Sequence, residues 1–174
     1  MTPLPHPRYD LLGTNAMLNC RLSIQIEEPF VGLVAEDWLR RVVETTLVAT
    51  GISEPVNIGL VIADDDTVRE LNRSYRGVDG TTDVLAFALS QPGSDEGEHF
   101  VMPPDKTLHL GEIFISYRQA ERQAEEQQHP LERELALLVI HGVLHLLGYE
   151  HERPEAEERM RAMETKVLDA LEKE

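Results

Sequence analysis

The sequence predicts an α+β fold: a mixed sheet of about four strands with helices packed on it, and a metal site at the end of a buried helix. Three observations support this. Strand-length segments rich in alternating or β-branched apolar residues are interleaved with helical patterns up to residue 116. Beyond that point only helical patterns occur. One of them is apolar nearly all round over 135–147 and overlaps "HGVLHLLGYEH" (141–151), which holds three of the chain's seven histidines.

Residues 1–20, with three prolines in the first seven positions, are expected to form a loose tail, and 21–174 a single domain. "RLSIQIEE" (21–28) alternates Leu22, Ile24 and Ile26 with polar residues, as a half-buried strand does. "AEDWLRRVVETTLVAT" (35–50) spaces Trp38, Leu39, Val42, Val43 and Leu47 as one helix face, and Gly51 follows as a stop. "VNIGLVIA" (56–63) reads as a strand. Asp64, Asp65 and Asp66 then suit a helix N-terminus through capping and the helix dipole. That helix, "DDTVRELNRSYR", carries an apolar stripe of Val68, Leu71 and Tyr75, with Arg69, Arg73 and Arg76 on another face.

"GVDGTT" (77–82) is a turn, "DVLAFAL" (83–89) a strand, and "SQPGSDEGEHF" (90–100) a long polar loop followed by a short proline-containing link. "LHLGEIFIS" (108–116) is the next strand and "YRQAERQAEEQQ" (117–128) a helix. Pro130 suits the first position of a further helix, with Glu132 and Glu134 in its first turn and a stop near Gly148. Pro154 opens the last helix, whose stripe is Ala156, Met160, Met163, Val167 and Leu171. No internal repeat or second domain is evident.

The net charge of −16 argues against broad, non-specific nucleic-acid binding, which needs a basic surface. It leaves room for a small basic site, or for docking to a basic protein. The single cysteine, Cys20, rules out an intramolecular disulfide and fits a reducing compartment. With no membrane-length apolar run and no signal-peptide pattern, a cytoplasmic protein is expected.

His141 and His145 stand four apart on one helix and face the same way. Gly148 can take the left-handed conformation that ends a helix, and the chain then turns back so that His151 joins the pair. Three neutral nitrogens converge on one point and leave a fourth position open, the layout of a catalytic zinc site. The competing view, three unrelated histidines with separate hydrogen bonds, has the regular spacing against it. His6, His99, His109 and His129 have no such grouping, although His109, on a strand, could support a ligand. Metzincin proteases share the spacing but have a glutamate general base where this chain has Gly142. Met160 and Met163 sit in a helical stripe and supply no Met-turn. Without a side chain, Gly142 is expected to let substrate approach the metal closely.

Three segments, "LNRSYRGVDGTTDVLAF" (71–87), "LGEIFIS" (110–116) and "HGVLHLLGYEH" (141–151), stand in one order that resembles the YbeY family of bacterial metal-dependent endoribonucleases, over roughly residues 55–172. The resemblance implies a mixed sheet with helices and one divalent metal per chain, usually zinc, on His141, His145 and His151. It implies single-strand-specific RNA cleavage in maturation of small-subunit (16S) ribosomal RNA, including its 3′ end, and in ribosome quality control. Its implied partners are single-stranded and ribosomal RNA, with a basic small-subunit ribosomal protein or an assembly GTPase. The family's conserved arginine falls on Arg76. The chain departs from the family's pattern at Glu112 and Glu150, where aspartate is usual, and at Ala86 and Ala88, where serine and proline are common.

On this basis metal-assisted phosphodiester cleavage is expected, with a polarised phosphate or a water of lowered pKa at the open position. Arg76 is expected to pair with the scissile phosphate; a surface salt bridge is its alternative. Arg73 and Arg69 are expected as weaker phosphate contacts, with pairing to Asp65, four residues earlier, as the alternative for Arg69. Glu150, beside a ligand, either orients a water or His151 or faces solvent. Glu112 and Asp83 are expected behind the ligands. Tyr149 is expected to stack on a base, whereas Tyr75 is expected to pack in its helix stripe. Rival functions are a ribosome-assembly factor with a structural metal, a metalloprotease, and a hydrolase of small phosphoesters.

Overall fold

The computed structural model describes residues 20–52, 54–89 and 107–173. The elements are β1 (Cys20–Ile26), α1 (Glu36–Ala49), β2 (Val56–Ala63), α2 (Asp65–Arg76), β3 (Val84–Ala88), β4 (Leu108–Ser116), α3 (Tyr117–Gln127), α4 (Leu131–Leu146) and α5 (Pro154–Glu172). They form the α+β architecture expected, with a four-stranded sheet in the order β1-β2-β4-β3. β1, β2 and β4 run parallel, and β3 pairs antiparallel with β4 at one edge. α1 supplies the long crossover that the parallel pairing of β1 and β2 needs. Cys20, assigned to the tail from sequence, is the first residue of β1; residues 1–19 and the 90–106 segment lie outside the described residues.

The strand period of two sorts the sheet into two apolar faces. Ile58, Leu60, Ile62, Ile113 and Ile115 join the main core with Leu39, Val42, Val43 and Leu47 of α1 and Val139, Ile140 and Val143 of α4. Val61, Leu85, Phe87 and Phe114 turn the other way and meet Val68 and Leu71 of α2. α4 packs on β3 and β4 from the first face, while α2 packs on the same two strands from the second. Because sheet, α1, α3 and α5 all contact α4, it must be apolar nearly all round.

Gly142 belongs to this packing. A Cβ placed there would lie 2.7 Å from Ile113 Cγ2, so the missing side chain lets α4 settle onto β4. The expectation that Gly142 opens a path for substrate to the metal is therefore corrected: the residue is buried and faces the sheet. Gly111 has φ +136°, and a Cβ there would collide with the Phe87 carbonyl oxygen on β3. It follows a bulge in β4, where Asn57 pairs with His109 and Ile58 with Gly111.

α2 is closed at both ends by its own sequence. The Asp64 carboxylate accepts from the Asp66 amide at 2.7 Å, and Gly77 caps the C-terminus in the left-handed conformation with φ +70°. Its stripe is shorter than expected: Val68 is buried, but Tyr75 is 71% exposed, with its ring 5.2 Å from that of Phe87. The buried residue on the next turn is Asn72, which donates to the Gly80 carbonyl oxygen at 2.9 Å and holds the following turn. Pro130 is the N-cap of α4, one position before the place expected for it. Among the described residues no helix is long and apolar enough to cross a membrane.

Candidate metal centre

The last two turns of α4 present His141 and His145, both half-buried, on one edge. Its end is a Schellman motif: the Gly148 amide donates to the His145 carbonyl at 3.0 Å and the Tyr149 amide to the Leu144 carbonyl at 3.0 Å. Gly148 sits at φ +95°, which reverses the chain and returns His151 to the other two histidines. Ring centroids are 4.5 Å apart for His141–His145, 5.1 Å for His145–His151 and 5.9 Å for His141–His151. One nitrogen from each ring lies within 4.8 Å of the other two.

The three imidazoles fit a divalent metal. Nitrogens bound tetrahedrally to zinc at about 2.05 Å are roughly 3.3 Å apart. His141 Nε2 and His145 Nε2 are separated by 3.0 Å. At that distance either a proton lies between the two nitrogens or a cation takes its place. Burial, then the neighbouring His141, His151 and Arg76, push the His145 pKa down to about 4 against the opposing pull of Glu164, so its nitrogen lone pair is free at neutral pH.

Glu164 was not anticipated from sequence. Its Oε1 is 2.8 Å from His141 Nδ1, which assigns the Nδ1–H tautomer and points Nε2 at the other ligands. The carboxylate comes from α5, 23 positions away. The available signal was its place beside Met163 at the border of the α5 stripe, on the helix that packs against α4.

The arginines of α2 have different fates. Arg73 pairs with Glu70 at 2.7 Å, and Arg69 with Asp79 at 2.8 Å. The expected Arg69–Asp65 pair is replaced because Asp65 turns to Ser116 at 2.7 Å and to Arg122 at 2.8 Å, tying α2 to α3. Arg76 is exposed at the C-terminus of α2, has no ion-pair partner among the described residues, and stands close enough for its charge to depress the His145 pKa.

Glu150 is exposed beside His151, and Tyr149 is half-buried against the edge of the core. Glu112 does not join the histidines. It shares a strand face with Phe114, the face turned away from α4, and lies over Gly59. His109 lines the same shallow depression as Glu112 and has Asn57 Nδ2 3.4 Å from its Nδ1. Asp83 accepts from the Val84 amide at 2.8 Å and from Gln123 Nε2 at 3.2 Å, joining the start of β3 to α3. His129 pairs with buried Glu134 at 2.6 Å. His6 and His99 lie outside the described residues.

Comparison with known proteins gives a consistent result. The family profile described as Endoribonuclease YbeY matches residues 25–172. The chain is 46% identical over 151 residues to Endoribonuclease YbeY of Roseiflexus sp. (strain RS-1), covering 86% of this chain and 92% of that one. It is 41% identical over 151 residues to Endoribonuclease YbeY of Moorella thermoacetica, covering 87% and 96%. Among solved structures, the solution structure of TM1509 from Thermotoga maritima matches with a TM-score of 0.53 and 28% identity, over 87% of this chain and 92% of that one.

Proposed function

The chain belongs to the Endoribonuclease YbeY family, and from that premise we propose that it is a metal-dependent endoribonuclease specific for single-stranded RNA, folded as a single domain over 21–174. Its cellular task on this proposal is maturation of 16S ribosomal RNA, including the 3′ end, and ribosome quality control, in the cytoplasm. The observation that supports it is Arg76, an arginine with no ion-pair partner among the described residues, next to three convergent imidazoles.

His141, His145 and His151 would hold the metal, most plainly Zn2+, since three nitrogens with an open fourth position suit it. When bound, it supplies Lewis acidity and a water of lowered pKa. Glu164 keeps the His141 ring turned toward the centre. The Arg76 guanidinium binds the scissile phosphate through two non-bridging oxygens. Glu150, exposed beside His151, takes the proton-handling role. Tyr149 offers a ring for base stacking, whereas Arg73 and Arg69, already held by carboxylates, make only secondary phosphate contacts. The acidic surface suits docking to a basic small-subunit ribosomal protein, with an assembly GTPase as a further partner.

The packing at Gly142 weighs against proteolysis, because a glutamate there would have to enter the space held by Ile113. The test is incubation of the purified protein with single-stranded RNA, after chelation and after return of zinc. Internal cleavage that follows the metal is expected. RNA left intact by zinc-loaded protein, free and on ribosomes, would overturn the nuclease proposal in favour of an assembly factor with a structural metal.

A further inference from the structure

Beyond the three histidines the chain shapes a shallow groove of about 470 Å3, whose walls include Gly148, Tyr149, Glu150, Arg153, Glu155 and Arg159. It begins at the residues that carry His151 and continues along the start of α5. Arg153 is two residues beyond His151, so its Cα is at most about 7 Å from that of the ligand. The groove therefore adjoins the metal centre.

The arginines in it are unusual for this chain. Acidic residues outnumber basic ones by 32 to 16, and Arg69, Arg73, Arg118, Arg122, Arg133 and Arg161 are each paired with a carboxylate. Arg161, two residues beyond Arg159, pairs with Glu157 at 2.6 Å, and Arg133 pairs with Glu172 at 2.7 Å. Arg153 and Arg159 have no ion-pair partner among the described residues, although Glu150 and Glu155 share the groove with them. Both are exposed. Two guanidiniums without an ion-pair partner among the described residues thus lie beside a site that has a third, Arg76. The two glutamates keep the groove near neutral in sum, so it suits a phosphodiester held by hydrogen-bonding forks rather than by a diffuse positive field.

Resting on the nuclease function proposed above, we infer that Arg153 and Arg159 bind the RNA strand at a phosphodiester adjacent to the one cleaved, with Tyr149 against a neighbouring base. Their contacts lie away from the reacting bond, so they hold ground state and transition state alike. Such uniform binding appears in KM and leaves kcat unchanged.

The test uses the full-length, zinc-loaded protein and a single-stranded RNA oligonucleotide, comparing wild type with an Arg153→Gln/Arg159→Gln double variant and an Arg153→Lys/Arg159→Lys double variant. The glutamine variant is expected to raise KM about tenfold at moderate salt with kcat within about twofold. Its log KM against log salt should flatten by about 0.7, the contribution of the one single-strand phosphate contact that the two arginines share. The lysine variant should keep the wild-type salt slope, whereas a merely structural role for the arginines would leave the slope the same in both variants. An unchanged KM and slope in the glutamine variant, with wild type cleaving normally, overturns this inference and leaves the nuclease function standing. A fall in kcat at constant KM also overturns it. Wild-type protein that cleaves no RNA overturns both.

Discussion

Replacing Gly142 with alanine tests how α4 is seated. Alanine normally stabilises a helix interior by about 1 kcal/mol relative to glycine. Here the new methyl would lie 2.7, 3.2 and 3.3 Å from Cγ2, Cδ1 and Cγ1 of Ile113, a side chain that is fully buried. Ordinary carbon contacts are about 3.5–4.0 Å. Either α4 lifts from β4 by several tenths of an ångström or Ile113 leaves its rotamer. Overpacking of this kind costs about 1–3 kcal/mol. Set against the helix gain, and with a worst contact well inside the normal limit, Gly142→Ala should destabilise the protein by about 1–2 kcal/mol. Urea unfolding of the metal-free protein measures this. The background decides the cause: in Ile113→Ala the obstructing atoms are gone, so adding Gly142→Ala should be neutral or stabilising. A Gly142→Ala that gains about 1 kcal/mol with Ile113 in place would refute the steric reasoning.

Other consequences concern the metal centre. Arg76→Ala should lower RNA cleavage on the order of a hundredfold while zinc content stays at the wild-type level; metal loss, or unchanged turnover, would remove Arg76 from the phosphate role. Glu164→Gln should weaken zinc affinity by roughly 10–100-fold, measured by competition with a chelator. Equal affinity in the two proteins would mean that the carboxylate does not hold His141. In the metal-free protein the depressed His145 pKa of about 4 makes the unfolded chain the stronger proton binder between its ordinary value and 4. Stability should therefore be unaffected above about pH 6.5 and decline as pH falls toward 4, by at most about 2 kcal/mol for a half-buried ring. His145→Gln should remove that part of the slope; an identical pH profile in the two proteins would contradict it.

Elements with both a period and a boundary were legible in the sequence. β2, α2 and β4 have the expected bounds, because aspartates, a glycine and the change of period mark their ends. The histidine grouping was legible for the same reason: helix spacing brings two rings together, and a glycine lets the third return. What sequence could not supply is choice among equivalent partners. Asp65 and Asp79 were both available to Arg69, and only the docking of α3, which brings Arg122 and Ser116 to Asp65, decides between them. Tyr75 falls on the helical stripe by spacing, but the apolar surface beneath α2 stops short of it. Gly142 invited an explanation from chemistry because it neighbours a ligand, yet its neighbour in space is a strand residue 29 positions earlier. Glu164 lay in a helix with many glutamates, and its one local mark, a place beside Met163 at the border of the stripe, does not say which histidine it meets.

The bond from Glu164 to His141 also bears on when the centre can form during synthesis. All three histidines precede α5, and the carboxylate that orients the first of them follows it by 23 positions. Glu164 follows the last ligand, His151, by 13 positions (164 − 151), so translation at roughly 5–20 residues per second leaves an interval of about one to three seconds in which a growing chain carries the ligands without their anchor. During that interval the His141 ring is free to turn, and its grip on a cation is weaker. The three-histidine group thereby reaches its final arrangement only after more than half of the last helix has been made.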